Sequence, residues 1–183
     1  SLEEELDKVL KESRDNVRRV EEELEEVMEK SERAAEKLRR DLDRVLEELE
    51  KMIRDLKRRG VPKDEVDRVL EELRRLADKL REDLDRVLKE SKESIDRLRE
   101  RVKEVKEESE ELARRLKEKS RDIDREDIKR VIDTLRKLNE RLNREVKEVI
   151  KRNEELVRRL AERVKKVVED LRRLVKRLDD EVR

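Results

Sequence analysis

Counting from Leu6, inward-type residues, mostly Leu, Val and Ile, fall at steps of 0, 3, 4, 7, 10, 11 and 14. The pattern restarts 18 residues later at Leu24 and again at Leu42. Eighteen residues are five turns of an α-helix at about 3.6 residues per turn. Val66, Leu84 and Val102 hold the same place further on, as do Ile128, Val146, Val164 and Val182. At about 100° per residue the seven steps cover an arc of roughly 120°, centred on step 7, which suits a helix facing two neighbours. Heptads repeat every 3.5 residues and impose a left-handed supercoil, whereas this period matches an unstrained helix and predicts long, nearly straight, untwisted helices.

The pattern is interrupted twice. The first predicted helix covers about 2–58: Ser1 and Glu4 have capping-box spacing, Lys57, Arg58 and Arg59 suit the negative end of the dipole, and Gly60 ends it. The second covers about 63–119, opened by Pro62, Asp64 and Glu65, with Val61 and Val66 spaced as a hydrophobic staple. The third covers about 125–182, with Asp124 as cap and Ile123 and Ile128 as the staple across it. Three helices of nearly equal length, joined by short loops, predict one domain over 1–183. The fold class is all-α, a single-chain antiparallel up-down-up three-helix bundle.

Small polar residues occupy a reserved set of inward steps. With loops pivoting near residues 61 and 122, facing residues should have numbers totalling about 122 between the first two helices and about 244 between the last two. Ser31, Ser91 and Asn153 then reach one level, with Ser94 a turn away. Ser13 and Ser109 share another with Leu135, and Asn16 and Asn139 lie close by. Leu49, Leu73 and Leu171 form a wholly apolar third level. A buried hydroxyl or amide without a partner costs about 1–3 kcal/mol, so matched polar groups are expected to bond one another and to penalise slipped registers. A ligand or proton site is the less favoured reading, because no ionisable group stands among these positions. Lys106, at the edge of the stripe, is expected to snorkel to water.

Composition narrows the functional classes. At 32% apolar with no aromatic residue, the chain would pass for disordered if its Leu, Val and Ile were not so regularly spaced and its surface so rich in the helix formers Glu, Lys and Arg. Its 55 basic and 55 acidic residues cancel and alternate, so neither nucleic acid nor an anionic membrane is an expected partner. Without His or Cys, metal sites, hydrolytic triads and thiol chemistry lack their usual groups, and one Gly cannot build a phosphate loop. The expectation is no enzyme, no catalytic residue, no cofactor and no metal. No apolar run is long enough for a membrane span and no signal peptide is seen, so a soluble chain suited to recombinant cytoplasmic expression is expected, its natural compartment unknown. Nearly all apolar residues lie in the arc, which favours a monomer with no partner over a homo-oligomer.

The strict 18-residue repeat, Glu/Lys/Arg surfaces such as DRVLEELE, staple-and-cap loops (GVPKDEV, DIDREDI) and reserved polar layers together resemble de novo designed parametric helical bundles with buried hydrogen-bond networks. The resemblance covers the whole chain. It implies a stable scaffold without evolved activity, with a coiled-coil interaction or assembly module, as oligomer subunit or helix-displacement switch, as the alternative.

Overall fold

Good helix formers between well-marked ends produce the three expected helices. The computed structural model describes residues 1–118 and 124–182. They form α1 (Leu2–Arg58), α2 (Lys63–Glu118) and α3 (Arg125–Val182), with no strand among the described residues. The chain is an all-α three-helix bundle.

The ends form for the reasons the sequence suggested. The Glu4 amide donates to the Ser1 hydroxyl at 3.3 Å, and the Ser1 ammonium lies 3.6 Å from the Glu4 carboxylate. At the end of α1, Gly60 N–H donates to Lys57 O and Val61 N–H to Leu56 O, the paired bonds of a Schellman motif. That motif needs a left-handed residue, and Gly60 has φ 107°. Val61 and Val66 are both buried in one apolar cluster, as a staple requires. The Glu126 amide donates to Asp124 Oδ1 at 3.4 Å, capping α3. Ile128 is buried, while its expected staple partner Ile123 lies outside the described residues, as does residue 119, where the second helix was expected to end.

Contacts divide the chain into two compact units, each with segments of all three helices. The first comprises Ser1–Glu29 and Ser91–Asn153. It holds two apolar clusters, one built on Leu6, Leu116 and Leu135, the other on Leu24, Ile95 and Leu142. The second comprises Lys30–Glu90 and Glu154–Arg183. It holds a large cluster that includes Leu49, Leu73 and Leu171, the apolar level read from the sequence, and a smaller one of Ala35, Leu84 and Leu160.

Ion pairs report the register inside each unit. In the second unit Arg39 meets Asp85, and Arg81 meets Asp43 at 2.8 Å, both pairs of numbers totalling 124 as antiparallel α1 and α2 require. Asp83 meets Arg163 at 2.9 Å in the same unit, and Arg101 meets Glu145 at 3.3 Å in the first, both totalling 246 across α2 and α3. The offset from the expected 122 and 244 is two residues, well under one turn. In the first unit, contacts from Ser13 to Asn139 and from Arg19 to Asn143 advance together along α1 and α3, which therefore run parallel.

Candidate functional site

The polar residues at step 7 lie at the centre of the inward arc, and all are buried: Ser13, Ser31, Ser91, Ser109 and Asn153. Asn16 and Ser94, at step 10 on the edge of the arc, are half-buried, and so is Asn139. Helix geometry explains Asn16 and Ser94, because an edge residue looks along the groove toward solvent; Asn139, at step 11, lies inside the arc, and its position does not explain its exposure.

In the first unit four of these residues lie between the two apolar clusters. The Asn139 amide makes three hydrogen bonds, with both of its protons donated. Nδ2 donates to Ser13 Oγ at 2.8 Å and to the Leu135 carbonyl at 2.7 Å, while Oδ1 accepts from Asn16 Nδ2 at 2.9 Å. Asn16 Oδ1 in turn accepts from Arg19 Nη2 at 2.7 Å, and the same nitrogen lies 3.3 Å from Asn143 Oδ1. The network thus runs from the core between α1 and α3 out to an exposed guanidinium. Its outer members, Arg19 and Asn143, do not belong to the inward pattern and were missed by it. Ser109 does not join: its hydroxyl donates to the carbonyl of Val105 in its own helix at 2.7 Å, the i−4 bond that serines in helices often prefer.

The expected middle level behaves differently. Ser31 is buried in the second unit, whereas Ser91, Ser94 and Asn153 belong to the first. Ser91 Oγ and both Asn153 side-chain atoms are buried with no hydrogen-bond partner among the described residues. Each such group carries a desolvation cost that nothing offsets.

One buried carboxylate escaped the sequence pattern. Asp83 sits one step before Leu84, just outside the apolar arc, yet it is buried in the second unit between Arg86 of α2 and Arg163 of α3. Asp83 and Arg163 hold the same step of the repeat, as do Arg101 and Glu145. Glu65 and Glu181 share that step too, and there the pairing is carboxyl with carboxyl. The hydrogen bond to Glu65, and then the repulsion from it, hold the Glu181 pKa above its ordinary value.

Among the described residues no group of carboxylates is arranged to hold a metal ion, and no helix is long and apolar enough to cross a membrane. No protein-family model, curated protein or solved structure matches the chain.

Proposed function

We propose that the chain is a designed structural scaffold, a monomeric three-helix bundle of the coiled-coil class with no evolved biochemical activity. Its hydrogen-bonded polar groups, Ser13, Asn16 and Asn139, specify helix register and pairing. The observation that carries this reading is the set of three hydrogen bonds made by the Asn139 side chain, two of them to side chains of α1. A slip of α3 against α1 would leave its amide, Ser13 and Asn16 facing apolar side chains, at about 1–3 kcal/mol for each stranded group.

Introduced cysteines test it, because the chain has none of its own. Glu5 and Arg136 meet at 3.3 Å through the ends of their long side chains, so Glu5→Cys with Arg136→Cys should be joined readily by a short thiol-specific cross-linker. Glu5→Cys with Glu140→Cys, one turn along, should not. In a background of Ser13→Val, Asn16→Leu and Asn139→Leu, both pairs are expected to close. Closure of the in-register pair alone in that background would show that the polar groups specify nothing.

A further inference from the structure

Beside the polar network, α1 and α2 leave a cleft of about 190 Å³ in the first unit. Leu10 and Val17 give it apolar walls, and Ser13 and Ser109, only 4% and 6% exposed, also line it. The space has a clear origin: both serines occupy the step at which Leu49 and Leu73 stand in another repeat, and serine is the shorter side chain. The Ser13 oxygen accepts from Asn139, but its own proton goes to no described residue and is available to an acceptor in the cleft.

Arg14, Arg18 and Lys106 also line the cleft. Many arginines of α1 and α2 are engaged, Arg39 with Asp85 and Arg115 with Glu111 among them, yet none of these three cations forms an ion pair among the described residues. Glu21 and Glu110 complete the lining, unpaired as well, so positive charge exceeds negative by one. An arginine also offers a flat face on which an aromatic ring can rest.

Apolar walls, a buried hydroxyl donor and uncommitted cations complement one kind of guest. We propose that this cleft is a binding site for a small amphipathic anion, an arenesulfonate or arenecarboxylate. Its ring lies against Leu10 and Val17, and its head group is held by Arg14, Arg18 and Lys106. The volume is below the roughly 300–1,000 Å³ of sites for drug-sized ligands, which restricts the guest to about one or two fused rings.

The chain has no aromatic residue, so ring-current shifts in its methyl NMR spectrum can come only from an aromatic guest. Naphthalene-2-sulfonate titrated into the full chain should shift the methyl groups of Leu10 and Val17 first and most. Ser109→Leu, which fills the cleft, should abolish those shifts. Arg14→Gln and Lys106→Gln should each weaken binding roughly three-fold, as expected for an exposed charge contact. Both substitutions are at exposed positions, so they remain decisive if Ser109→Leu impairs folding. Equal affinity for uncharged naphthalene-2-methanol, unchanged affinity in both charge variants, or shifts spread evenly over the Leu and Val methyls would overturn the proposal.

Discussion

Asn139 and Asn153 are the same residue type in the same helix, and the structure gives them opposite energetic roles. The Asn139 side chain makes three hydrogen bonds, two of them to side chains of α1, whereas the Asn153 side chain is 1% exposed and makes none among the described residues. Replacing Asn153 by Leu is therefore expected to raise the unfolding free energy in urea by about 1–3 kcal/mol, because a stranded amide is removed and apolar packing gained. Replacing Asn139 by Leu is expected to lower it by about 1–2 kcal/mol, because Asn16 and Ser13 lose their partner. The opposite order would mean that Asn153 is satisfied and Asn139 dispensable. Burial at this scale was legible in the sequence wherever a residue sat at the centre of the arc. Met52, at step 10, shows the limit: it is apolar and inward by spacing, but lies at the edge and is 49% exposed. Hydrogen-bond partners were not legible. Ser109 had its own Val105 carbonyl within reach, and repeat spacing does not register that competition.

At the scale of elements, helix ends were the most legible feature, because each is fixed by a few local residues. Gly60 is the clearest case. A Cβ there would meet nothing within 4 Å, so the penalty of Gly60→Ala is confined to the backbone. It should lower stability by about 1 kcal/mol, read as a shift in urea midpoint with an unchanged slope. A loss several times larger would mean that the turn is fixed by more than its dihedral angle. The flanking ladder of α2 and α3 was not legible, because Asp83, Arg101 and Glu65 lie outside the apolar stripe and look like ordinary surface charge. Its Glu65–Glu181 rung carries a pH dependence. Glu181 binds its proton more tightly in the folded chain, so this rung favours folding at acid pH. That contribution is lost as pH rises through the elevated pKa, and above it two carboxylates repel. Glu181→Arg should raise the melting temperature at pH 7 and have less effect at pH 3, where protonation has already relieved the repulsion. The change also suits the end of α3, whose last turn has no basic residue. A gain independent of pH would exclude the carboxyl pair as its source.

For the whole molecule, the central feature is that apolar surface is consumed within the chain. Each unit buries its Leu, Val and Ile among its own three helix segments, and Met52 is the only large apolar side chain that stands well exposed among the described residues. Charged side chains of both signs cover the remainder, and over the whole chain they cancel. The proposal of a monomeric scaffold rests on this burial, which leaves no large apolar face among the described residues. Sedimentation equilibrium over a wide range of protein concentration tests it most directly. The predicted result is the mass of one chain, 22.4 kDa, at every concentration. A mass that climbs to two or three chains as concentration rises would contradict the scaffold reading and make assembly between chains the function to pursue.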